Sequence, residues 1–133
     1  MNVDYQALDW GTLLTRRASK EPVEKGGWSC FFTSFAGTDM LNPAGHIALR
    51  GNGTDAWFGW PASPRLEELR THWFVGDDQA AQKVAATAMQ VQALGTDVPY
   101  VPLGQFFTST AYRNTLSGVL RGFPVFWNVQ KSG

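Results

Sequence analysis

Residues 28–35, WSCFFTSF, form a dense apolar run hemmed in by Gly26-Gly27 and Gly37. A run of this kind bounded by glycine is the pattern of a buried strand, and it constrains everything packed around it. Upstream, Val3, Tyr5 and Ala7 alternate with Asp4 and Gln6, the period of a half-buried strand. Asp9 offers a carboxylate to cap a helix over residues 10–19. Its apolar side carries Leu13, Leu14 and Ala18, and Pro22 with Gly26-Gly27 ends it. Downstream, residues 45–64 hold no clean period: Gly51, Gly53, Gly59 and Pro61 break it, while Trp57, Phe58 and Trp60 crowd into it. Ser63-Pro64 places a capping hydroxyl before a proline at the first helical position, and Leu66, Leu69 and Trp73 follow at helical spacing. Asp77-Asp78 opens a further helix over residues 79–94, with Val84, Ala88 and Val91 on one face and Gly95 as its stop. Residues 98–107 and 108–112 read as extended, and 116–120 and 126–129 as short strands. The expected class is α/β.

Composition removes several functions. The 11 Lys+Arg balance the 11 Asp+Glu, so no cationic footprint marks nucleic acid or an anionic membrane as the default partner. One cysteine, Cys30, excludes an internal disulfide framework and a multi-cysteine metal site. No stretch approaches the roughly 20 apolar residues of a membrane span. The opening MNVDYQALDW is not a signal peptide, and the chain as given is expected to be soluble. In the last third, Phe106, Phe107, Tyr112, Phe123, Phe126 and Trp127 have no obvious helix to cover them. Either these rings cover one another, or a partner surface lies outside the chain.

No catalytic constellation assembles. His46 and His72 each stand apart from other ligand-type residues, whereas a metal site wants at least three with a clear spacing. Cys30 lies within the apolar run and is expected to be a buried, inert thiol. No serine occupies a G-x-S-x-G elbow. Gly51-Asn52-Gly53-Thr54 lacks the lysine of a phosphate loop, and its match to a glycosylation sequon is too common to carry weight. Arg16-Arg17 reads as the solvated side of the first helix. The chain is expected not to be an enzyme and to use neither metal nor cofactor.

The loop Gly37-Thr38-Asp39-Met40-Leu41-Asn42-Pro43 remains. In α/β sheets, ligands gather beyond the carboxyl ends of strands. A carboxylate there, ringed by Phe35 and Met40, suits a ligand cation such as an ammonium. The plainer alternative is that Asp39 closes an Asx-turn before Pro43.

An ordered series of motifs resembles the extracytoplasmic solute-binding proteins of peptide-type ABC transporters, the peptide, dipeptide, oligopeptide and nickel group. Residues 9–17, DWGTLLTRR, resemble that family's D/E-W-x-x-(Y/L)-x-x-R helix. Residues 28–43 resemble its strand and loop G-W-x-x-D-x-x-(D/N)-P, with Asp39 and Pro43 at the family's spacing. Trp57-Phe58 followed by residues 64–69 resembles Y-x-N-P-E-(V/I)-D-x-L, and residues 97–103, DVPYVPL, resemble D-x-P-x-I-P-L. Residues 110–118 and 123–129 resemble the terminal strands.

The resemblance implies the C-terminal part of a type II periplasmic-binding-protein clamshell. Residues 1–103 would belong to the C-terminal ligand-binding lobe, and residues 104–133 to a return segment completing the first lobe. It implies a peptide or other small solute as ligand, membrane permease subunits and the missing N-terminal part of the same protein as partners, and a periplasmic location. Asp39 matches the aspartate that pairs with the ligand's α-amino group. Ala36, Gly37 and Thr38 match backbone lining the cleft. This sequence departs from the pattern in having Ala36 or Phe35 where a tryptophan is common, and Thr33 where some members carry a basic residue for the ligand carboxylate. The rival readings are a freestanding structural or interaction domain using its aromatic surface, and a hydrolase using His46 or His72.

Overall fold

Helix α1 (Trp10–Arg17) begins where the Asp9 carboxylate accepts the Thr12 amide at 3.1 Å, as the sequence leads one to expect. Its hydroxyl partner strengthens the cap, since Thr12 Oγ1 donates to the same carboxylate at 2.6 Å. Both bonds hold the Asp9 carboxyl below its ordinary value. The computed structural model describes residues 2–122 and 125–132. It divides into two compact units, one ending at Val101 and the other starting at Pro102.

In the first unit, helix α2 (Pro64–Phe74) starts at Ser63, whose hydroxyl accepts the Leu66 amide at 3.2 Å. Helix α3 (Gln79–Gln92) starts at Asp78, which accepts the Ala81 amide at 2.7 Å. The two helices pack together around Leu66, Leu69, Met89 and Ala93, joined by Leu49 from a 3-10 turn at Ile47–Leu49. Trp73, Ala88 and Tyr100 pack against this core. Leu66 and Met89 are completely buried. The end of α3 loosens into a wider π-helical turn (Ala93–Asp97), closed by Val98 in the left-handed region at φ 44°. Gly95 therefore lies inside the last turn and is not its stop.

Three expectations fail here. Residues 3–7 form no strand, and Val3 and Tyr5 are exposed, because among the described residues no neighbouring strand pairs with them. Residues 28–35 also form no strand. Trp28, Phe31 and Phe35 are half-buried while their neighbours, Cys30 included, face solvent. This segment folds its rings onto a loop instead of entering a ladder. The third concerns α3: its buried line is Ala85, Met89 and Ala93, and Val84 and Val91 are exposed. Alanines on every side of this helix leave the long Met89 chain to decide which face turns inward.

The aperiodic stretch 45–64 is a loop closed at its base. Asn52 and Ala62 form an antiparallel bridge, flanked by Ser63 N–H to the Gly51 carbonyl at 2.8 Å and Gly53 N–H to the Pro61 carbonyl at 2.9 Å. A Cβ at residue 51 would stand 2.9 Å from the Ser63 carbonyl oxygen, so the close approach requires Gly51. Glu67 on α2 clamps the same base, accepting from Gly51 N–H at 2.7 Å and Arg50 Nε at 3.2 Å.

In the second unit, β1 (Leu116–Ser117) pairs antiparallel with β2 (Gln130–Lys131), Leu116 opposite Lys131. Residues 126–129 are a turn and not a strand, with Val129 N–H bonded to the Phe126 carbonyl at 3.2 Å. Phe106, Phe107, Tyr112, Phe126 and Trp127 are exposed, so they do not cover one another; Phe123 lies outside the described residues. The described chain is thus mixed, three helices with little sheet. Among the described residues no helix is long and apolar enough to cross a membrane.

Candidate functional site

The loop after the aromatic segment winds into a 3-10 turn (Gly37–Met40), which begins at extended Ala36 and is closed by the Asp39 N–H on the Ala36 carbonyl at 2.9 Å. Phe35, Ala36, Gly37, Thr38 and Asp39 are therefore consecutive around one turn. Phe35 is half-buried and the other four are exposed. The Asp39 carboxylate accepts no hydrogen bond among the described residues. The Asx-turn belongs to Asn42, whose Oδ1 accepts from Ala44 N–H at 3.0 Å and Gly45 N–H at 3.2 Å. Asp39 is thus free of the structural task that would explain it as a turn residue.

The turn is tied from behind. Arg70 on α2 donates from Nε to the Pro43 carbonyl at 3.2 Å and from a terminal nitrogen to the Ala44 carbonyl at 3.3 Å. Burial and the adjacent Arg50 lower the proton affinity of Arg70, and Glu67 opposes them. Beside the turn, an open cavity of about 560 Å³ runs along Leu41, Asn42 and Pro43 to Trp73 and the first turns of α3, with Lys83 on its wall.

Phe35, just before the turn, belongs to an aromatic cluster. Phe35 packs on Trp57 at a centroid distance of 5.2 Å, Phe31 on Trp57 at 5.5 Å, and Trp28 edge-on to Phe31 at 4.8 Å. Arg17 lies over these rings, 4.4 Å from the Phe58 centroid and 5.6 Å from that of Trp57, and Lys20 lies 4.7 Å from that of Trp60. Arg16 donates to the Gly27 carbonyl at 3.0 Å and to the Gln6 amide oxygen. The pair Arg16-Arg17 is therefore not the solvated side of α1: Arg17 attaches the helix to the aromatic cluster and Arg16 ties it to the Gly27 carbonyl and Gln6. A second cavity, about 270 Å³, is lined by Arg50, Asp55, Trp57, Phe58 and Trp60 among others. None of residues 35–39 lines either cavity.

Sequence reasoning missed Asn42, Arg70 and Arg17. The spacing of Trp57, Phe58 and Trp60 on a glycine-rich loop was the available signal for a surface that collects cations. His46 is buried against Tyr100, with no hydrogen-bond partner at Nε2, and touches no nucleophile through that atom. His72 stands one helical turn from Glu68, close enough to lower the latter's pKa as the smallest of several contributions, behind the Arg65 hydrogen bond and charge.

No family model matches the chain. Over 99% of its length it is 38% identical to the probable peptide ABC transporter periplasmic-binding protein y4tO of Sinorhizobium fredii. The aligned region is 25% of that relative. The resemblance read from the motifs is borne out: the chain corresponds to a fragment of such a periplasmic-binding protein, and spans about a quarter of the length of the relative it matches.

Proposed function

We propose that this chain is part of the substrate-binding component of an ABC-type import system for peptides or related small solutes. That component captures ligand in the periplasm and delivers it to permease subunits in the membrane. The observation that carries this reading is the 38% identity along the whole chain to a protein named for that role. A freestanding interaction domain is not favoured by a likeness that runs through a quarter of a longer transport protein. Nor does a likeness to a binding protein favour catalysis.

In this reading residues 1–103 belong to the C-terminal lobe of a type II clamshell, and residues 104–133 return to complete the other lobe. The lobes rotate about a hinge and bury the ligand between them. Asp39, exposed on its turn and not engaged in the Asx-turn, anchors the ligand's ammonium group. The backbone of Ala36, Gly37 and Thr38 lines the cleft beside it, and Phe35 forms the apolar flank. The remainder of the cleft comes from the N-terminal part of the same protein.

Two measurements test this. An antibody against the chain, applied to an osmotic-shock extract of the source cells, should detect a product roughly four times heavier, as the relative's length implies. A cytoplasmic product of this length would defeat the proposal. In the intact protein, Asp39→Ala should weaken peptide binding by at least about tenfold, because truncating one partner of a desolvated charged pair costs about 2–5 kcal/mol. Unchanged affinity would remove Asp39 from the site.

A further inference from the structure

His46 is 8% exposed, and its Nε2 has neither donor nor acceptor within reach. Its backbone is fixed on both sides: its N–H bonds to the Asn42 carbonyl at 3.2 Å, and its own carbonyl accepts from Leu49 N–H at 3.0 Å. The ring rests against Tyr100, centroids 5.4 Å apart at an interplanar angle of 53°. Tyr100 in turn packs on the Leu49–Leu66–Met89 core and lies one residue before the first unit ends at Val101. The His46 imidazole is therefore the polar half of a ring contact with the last residues of the first unit.

Such a contact favours the neutral ring. A protonated imidazole carries two N–H donors and a full charge, and burying either without a partner is costly. Among the described residues no charged side chain bonds to His46 Nε2. Arg50 on the following turn is paired with Glu67 of α2. Arg70 of α2 is committed to the Pro43 and Ala44 carbonyls, and Asp97 at the end of α3 takes the Gln92 amide on Oδ1 at 3.0 Å while its Oδ2 is buried without a partner. Tyr100 itself stays neutral, since burial raises its phenol pKa.

We propose that His46 and Tyr100 form an acid-released latch, closed while His46 is neutral, that pins the last residues of the first unit to its own helical core. Burial lowers the His46 pKa from its ordinary 6.5. The unfolded or released chain therefore binds the proton more tightly. The latch contributes fully above 6.5 and weakens as pH falls below that value toward the lowered pKa.

The test is carbon-13 NMR of the histidine and tyrosine rings of the 133-residue chain, titrated from about pH 8 to about pH 4. The expected result is a His46 midpoint below 6.5, with the Tyr100 ring signals moving to solvent-exposed values at the same midpoint. His46→Phe keeps a ring against Tyr100 and should hold the Tyr100 signals constant across the range. A His46 midpoint at or above 6.5, Tyr100 signals that ignore the protonation, or a Tyr100 transition that persists in the phenylalanine variant would each overturn the latch.

Discussion

The guanidinium of Arg17 lies 4.4 Å from the ring centroid of Phe58, and the same group is 5.6 Å from Trp57 and 5.8 Å from Trp10. The Arg17 carbonyl accepts the Trp28 indole N–H at 3.0 Å. One residue thus joins the end of α1 to two distant aromatic segments, through its side chain to one and its backbone to the other. The side-chain attachment is electrostatic, a cation on the negative faces of the rings, with the Arg17 stem packed beside them.

Arg17→Ala is therefore expected to lower the stability of the first unit by about 1–2 kcal/mol, the range for a partly desolvated cation over an aromatic ring. Arg17→Lys should lose less but not nothing, because an ammonium does not stack as a planar guanidinium does. Urea unfolding followed by tryptophan fluorescence measures both, and equal stability of Arg17→Ala and the parent would refute the attachment.

Met89 and Val84 separate the two faces of α3. Met89 is completely buried, so Met89→Ala should cost about 2–5 kcal/mol. Val84 is 72% exposed, and Val84→Ala should stay within about 0.5 kcal/mol. Thermal melts by circular dichroism distinguish the two, and the reverse order would restore the face expected from periodicity.

Cys30 faces solvent. An aromatic disulfide reagent should label it in the folded chain at a rate within about threefold of that in urea, since access and not burial governs the reaction. Strong protection in the folded chain would mean that residues 28–35 are covered after all.

The helices were legible because their signals are local. Asp9, Ser63 and Asp78 each cap the helix that follows, and a cap needs only its own next three residues. Strands were misread because the alternation at residues 3–7 and the apolar run at 28–35 specify a willingness to pair and not a partner. The loop at residues 36–43 was legible as a loop, yet the choice of Asn42 over Asp39 for its Asx-turn depends on where Ala44 and Gly45 lie in space. Arg16 and Arg17 read as solvated charges because adjacent basic residues carry no mark of the rings and carbonyls that receive them.

The two bonds from Arg70 to the Pro43 and Ala44 carbonyls mean that the turn bearing Asp39 is backed by a helix whose own position is fixed by buried leucines. A ligand at the site proposed on that turn would meet backbone that has already surrendered its freedom, so the ordering entropy would be settled at folding and not at encounter. By the same route, a change that tilts α2 would reach the turn without altering any residue in it.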